Sequence, residues 1–101
     1  MMDREDLRKA MQQAQEMQVN LVKAQAELAH TEIQGLSHDG KVRVIMSAQG
    51  DFQSIKIDPL VLAGGIHSIE SGVLEAIKDA TTQAATMTKD KLKSISKVIG
   101  L

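Results

Sequence analysis

The spacing of apolar residues changes twice along this chain of 101 residues, from seven to two and back to seven, and that change limits the fold more than any other feature. Leu7, Ala14, Leu21 and Leu28 recur every seven residues, with Ala10, Met17 and Ala24 between them. This seam predicts an uninterrupted amphipathic helix from Asp3 to about Ala29. Asp3 is placed to cap its start, and Glu5 and Asp6 suit the positive end of the helix dipole. The small seam residues let a partner helix approach closely.

The period then becomes two. Thr31-Glu32-Ile33-Gln34-Gly35-Leu36 reads as a strand, and His38-Asp39-Gly40 supplies the turn that follows it. Over Lys41–Ala48, Val42, Val44 and Met46 point one way while Lys41, Arg43 and Ile45 point the other. Gln49-Gly50-Asp51 is a second turn. Phe52–Ile57 forms a third strand with Ile55 and Ile57 on one face. Phe52 falls out of that phase, which predicts a bulge or a two-sided strand. Asp58 is placed to cap a short helical turn that Pro59 begins. After Gly64-Gly65 the heptad returns as Ile66, Val73, Ala80 and Met87, with Ile77 and Ala84 between them. The stripe drifts on through Leu92, Ile95 and Ile99, and Gly100 stands where a helix stop belongs.

The fold class is α+β in a single domain spanning 1–101: a long N-terminal helix, a three-stranded antiparallel meander, a short helical turn and a long C-terminal helix. Two long helices and a small sheet do not match in length. A helix of about 26 residues extends about 39 Å, against about 26 Å for an eight-residue strand. The excess apolar stripe must meet the other helix or a second copy of the chain. An antiparallel helix pair and a homodimer follow as expectations, the latter favoured also by an open edge strand.

Composition excludes several classes of chemistry. The chain has no Cys, Trp or Tyr and one Phe. Disulfide scaffolds, thiolate metal sites and thiol catalysis are ruled out, and there is no aromatic platform on which bases stack. The longest apolar run, Leu60–Ile66, is too short to span a bilayer, and the acidic start lacks the layout of a signal peptide. A cytosolic protein without a membrane partner is the expectation. His30, His38 and His67 sit in different elements, so no metal site is expected. The Met residues at 11, 17, 46 and 87 suit seam and core better than a ligand box, and Gly64-Gly65 lacks the surroundings of a phosphate-binding loop. No nucleophile–base pair, carboxylate pair or cofactor motif is present, so neither an enzyme, a cofactor nor a small-molecule substrate is expected.

The net charge is −1, but its distribution is uneven. Residues 89–101 carry Lys89, Lys91, Lys93 and Lys97 against Asp90 alone. Lys89, Lys93 and Lys97 are spaced by four and form one stripe on a helix, away from Leu92, Ile95 and Ile99. Antiparallel helices would bring Arg4, Arg8 and Lys9 near that stripe. On charge alone the stripe is a solvated helix end whose cations complement the dipole. Lys41, Arg43 and Lys56 are likewise accounted for as the wet side of a sheet.

The order of elements, the helix segment Met11-Gln12-Gln13-Ala14-Gln15-Glu16-Met17-Gln18 and the run Ser54-Ile55-Lys56-Ile57-Asp58-Pro59 resemble the YbaB/EbfC family of bacterial nucleoid-associated proteins over nearly the whole chain. The chain departs from the pattern at Lys78-Asp79, where an Asn would precede the Asp, and in its short Gly100-Leu101 end. The resemblance implies a homodimer, centred on its sheets, that binds double-stranded DNA through its projecting helices in the bacterial cytoplasm, at the nucleoid. It makes Arg4, Arg8, Lys9, Lys89, Lys93 and Lys97 the candidate DNA-binding residues, contacting phosphates with little sequence preference and altering the duplex. The alternative is a structural module that docks a protein partner through its helix seam.

Overall fold

The computed structural model describes residues 3–99. Helix α1 (Arg4–Ala29) leads into strands β1 (Glu32–Leu36), β2 (Val42–Ser47) and β3 (Phe52–Ile57), then a 3-10 helix (Pro59–Gly64) and helix α2 (Gly65–Ile99). Asp3 caps α1 by accepting a hydrogen bond from the Asp6 amide at 2.8 Å, and Asp58 caps the 3-10 helix by accepting from Leu60 at 2.9 Å. Both caps stand where the sequence puts them. The expected stop at Gly100 lies outside the described residues.

The sheet is an antiparallel meander in the order β1-β2-β3. Its ladder steps from Ile45–Ser54 to Met46–Phe52, leaving Gln53 as the extra residue of a bulge. That bulge turns Phe52 to the side of Met46, which resolves its awkward phase.

Helix α2 lies across β1 and β2, and small residues set how close it comes. Gly72, Ala76, Ala80 and Ala84 form one buried row at four-residue spacing. A Cβ on Gly35 would meet the Ala76 carbonyl and Ala80, and one on Gly72 would meet Val42. Ile33, Val42, Val44 and Met46 complete the core. The heptad residues Ile66, Met87 and Leu92 stay exposed instead, because the backbone contact is made by the small row beside them.

The two sheet edges differ. Along β1, side chains of α2 satisfy the free backbone groups. The Leu36 amide donates to Asp79 Oδ2 at 2.9 Å, the His38 amide donates to Glu75 Oε1 at 2.9 Å, and Gln83 Nε2 donates to the Gln34 carbonyl at 2.9 Å. This edge is closed to another strand. All six residues of β3 are exposed, including Phe52, Ile55 and Ile57 on the side that α2 covers elsewhere. Leu60, Leu62, Ile66 and Leu74 are exposed as well. Within Pro59–Lys97 an 18-residue window reaches a mean hydropathy of 1.3, enough to cross a membrane by length and composition only. Gly65, at φ 80°, breaks this stretch into a 3-10 helix and an α-helix, and Val61, Ala76, Ala80 and Ala84 within it are buried in the core.

Beyond the sheet, α2 continues along α1 to make a two-helix arm, so that the molecule measures 72 × 18 × 15 Å. Ala24 and Ile95 are buried in the arm, and Lys91 pairs with Glu27 across it. The hydrogen bond and charge of Lys91 hold the Glu27 carboxyl below its ordinary value of 4.5.

Two outcomes follow from this packing. Gly35→Ala should destabilise the fold by about 2–4 kcal/mol in denaturant melts, because backbone of α2 has to retreat to admit the methyl. A carboxyl whose native pKa is depressed contributes stability above its unfolded value and loses it as pH falls through the native one. The α1–α2 contact should therefore loosen at a pH below the ordinary carboxylate range. Spin labels placed across the arm would report that opening, and Glu27→Gln should remove its pH dependence.

Candidate nucleic-acid interface

The row that seats α2 on the sheet continues into the arm, from Ala84 through Thr88 to Lys91 and Ile95. The sheet and α1 therefore lie end to end on the same side of α2. Lys89, Lys93 and Lys97 are two residues out of step with Lys91 and Ile95, and a two-residue step on a helix is about 200°. They sit on the outer side of α2, facing away from α1, and all three are exposed. Among the described residues no ion pair involves them. Lys91, by contrast, is turned inward and engaged by Glu27. Asp90 is the nearest acid in sequence and lies beside the stripe.

The helices are antiparallel as expected, but their register keeps the two cationic groups apart. With Glu27 facing Lys91, Lys97 comes beside residue 21 or so of α1. From there to Lys9 is about 18 Å along the axis, and to Arg4 about 26 Å. The dimensions agree: the 35 residues of α2 account for about 52 Å at 1.5 Å per residue, and the overhang of α1 makes up the rest of the 72 Å axis. On this overhang Arg4, Arg8 and Lys9 are exposed, as are Leu7, Met11 and Ala14, with no α2 beside them. Arg4 and Arg8 point away from the α2 side of α1. The expected single patch is thus two stations on one arm, offset along it and turned to opposite sides.

A further cationic pair is set by the sheet register. Arg43 and Lys56 are direct cross-strand neighbours on the face that carries no helix, and both are exposed. Like charges placed opposite each other repel, and no ion pair among the described residues offsets them. Alternation along β2 revealed the face, but the register that juxtaposes these two side chains is set by the bulge and turn and is not visible in either strand alone. Lys41 is also exposed, and a carboxylate stands beside its backbone. Its amide donates to Asp39 Oδ1 at 3.0 Å, and Asp39 also accepts from Ser37 Oγ at 2.7 Å. The Ser37 hydroxyl and then the Lys41 amide hold the Asp39 carboxyl below its ordinary range.

The histidines lie apart. His38 stands 3.6 Å from Glu75 and His67 stands 3.9 Å from Glu70, and among the described residues no three His, Asp or Glu side chains gather as a metal site would need. The site offers exposed cations on an elongated frame, which is suited to a long anionic partner.

Comparison with solved structures finds an uncharacterized protein from Helicobacter pylori with a TM-score of 0.76 and 17% identity, the match covering 94% of this chain and 98% of that one. At that identity the likeness shows a shared fold. The model of the YbaB/EbfC DNA-binding family matches residues 2–99. That family consists of DNA-binding, nucleoid-associated proteins and is not a family of enzymes. Matched over nearly its whole length, this chain belongs to the YbaB/EbfC DNA-binding family.

Proposed function

We propose that the chain binds double-stranded DNA as a homodimer, through phosphate contacts with little sequence preference, and alters the local shape of the duplex at the nucleoid in the bacterial cytoplasm. The observation that carries this reading is the exposed stripe of Lys89, Lys93 and Lys97 on the outer side of the arm. Its spacing by four residues repeats about every 6 Å along the helix, which is close to the separation of neighbouring phosphates along a strand. Arg4, Arg8 and Lys9 form a second cationic group nearer the arm tip, with Arg4 and Arg8 on the opposite side of the arm. No helix presents a base-reading set of Asn and Arg side chains, so affinity should depend on salt far more than on sequence.

Dimerisation rests on the uncovered surface of β3. Phe52 and Ile55 are each half exposed, at 53% and 50%, and Leu60 and Ile66 more so at 65% and 73%. A second copy joined through β3 covers these residues and pairs the open strand edge in one step. It also doubles the number of arms, so that one assembly can hold a duplex at two places and bend or compact it.

With about four phosphates neutralised per dimer, log affinity should fall against log salt with a slope of about −3.6. Fluorescence anisotropy on labelled duplex measures this directly. Reversing charge at Lys89, Lys93 and Lys97 together should weaken binding by about a hundredfold at low salt, while leaving the melting temperature unchanged. Failure of the wild-type chain to retard duplex DNA at low salt contradicts the reading. Recovery of a stoichiometric protein partner that survives nuclease treatment would favour the docking alternative. In light scattering, Ile55→Lys should reduce the dimer mass to that of one chain; a full dimer mass would place the interface elsewhere.

A further inference from the structure

Helix α1 separates its charges by side. Its carboxylates, Glu5, Asp6, Glu16 and Glu27, all lie toward α2 or on the flanks. The side turned away from α2 follows a regular three-and-four spacing through Arg4, Arg8, Met11, Gln15, Gln18 and Val22, all exposed and with no acid among them. This strip runs about 27 Å, the length of about eight base pairs. Because α1 and the sheet lie end to end beneath α2, the strip leads onto the helix-free face of the sheet, where Arg43 and Lys56 repel each other across β2 and β3. The strip on α1 thus begins with two arginines and passes amide and aliphatic side chains; the sheet face beyond it opens with the exposed Glu32, opposite Ser47, and then carries Arg43 and Lys56.

We infer that this surface, free of acids along α1, is a second nucleic-acid contact, distinct from the lysine stripe on the other side of the arm, and that it takes the phosphodiester backbone of a duplex along α1 and onto the sheet. The inference rests on the reading of the chain as a DNA binder and adds where a second segment of backbone lies. Its chemistry fits that ligand. Gln side chains donate to phosphate and sugar oxygens, arginines at the tip pair with phosphates, and the absence of carboxylates along the α1 strip removes local repulsion there. Arg43 and Lys56 gain an anion that relieves their mutual repulsion. The exposed Met11 and Val22 are single apolar side chains set among amides, a pattern ordinary for a wet surface. With a cation set on each of two opposite sides, one arm can touch two duplex segments at once.

Adding carboxylates tests this at positions where helix stability is insensitive to them. Gln15→Glu together with Gln18→Glu should weaken duplex binding by about tenfold or more in low salt, while Gln13→Glu, on the side that already carries acids, changes it by less than about twofold. Arg43→Gln with Lys56→Gln should flatten the salt slope by about two for each protomer engaged. Circular dichroism melts and light scattering on the same variants check that fold and mass are kept. Wild-type affinity in the Gln15/Gln18 variant, or equal losses from Gln13→Glu and Gln15→Glu, overturns the inference while leaving the lysine stripe intact. A change of mass without a change of affinity marks the surface as a protein interface and also overturns it. A wild-type chain that binds no DNA removes both readings together.

Discussion

The contact on which the structure depends is the approach of α2 to the sheet at Gly35 and Gly72. Neither position has room for a methyl group, so the helix backbone comes down onto β1 and β2 on a row of small residues. Close packing there is worth more than the larger side chains of the heptad could supply, since dispersion and burial both depend on atoms in contact. Once α2 is seated, Glu75, Asp79 and Gln83 are held against the free edge of β1. One edge of the sheet is closed and the other left open. The seating also leaves β3 uncovered and sends the remainder of α2 past the end of the sheet to pair with α1.

The proposed binding surfaces are consequences of that geometry. A helix held by one row must present the opposite row to solvent, and on α2 that row carries Lys89, Lys93 and Lys97. On α1 the side turned from α2 is the one free of carboxylates. The arm therefore carries cations on two opposed sides, while the interhelical ion pair of Glu27 with Lys91 is kept between the helices. An elongated frame with cations outward and small net charge suits a partner held by many weak, salt-sensitive contacts rather than by one deep pocket.

Much of this was legible in the residues. Period two from Ile33 to Ile57 and period seven on either side suffice for the order of elements. Asp3 and Asp58 announce two helix starts through local chemistry alone, and Ser54–Pro59 carries the family. What pattern could not supply was register. Heptads pointed to Ala80 and Ala84, which are buried, but also to Ile66, Met87 and Leu92, which are not; Gly72 and Ala76 complete the contact instead, because backbone proximity depends on where a glycine falls on the facing strand. In the same way, antiparallel pairing of the helices was inferred correctly but its offset was not. Arg4, Arg8 and Lys9 project beyond the end of α2 because Glu27 meets Lys91, a match between two distant positions that no single helix encodes. The role of Asp79 as a cap on β1 was hidden for the same reason.

Lysine reactivity measured with and without duplex DNA tests the central claim most directly, since each lysine reports its own surroundings. Acylation followed by mass spectrometry should show Lys89, Lys93 and Lys97 losing reactivity on DNA binding, while Lys91, turned inward against Glu27, changes little. Equal protection of all four, or protection of Lys91 with the outer three unaffected, would contradict a grip made by the outward side of the arm.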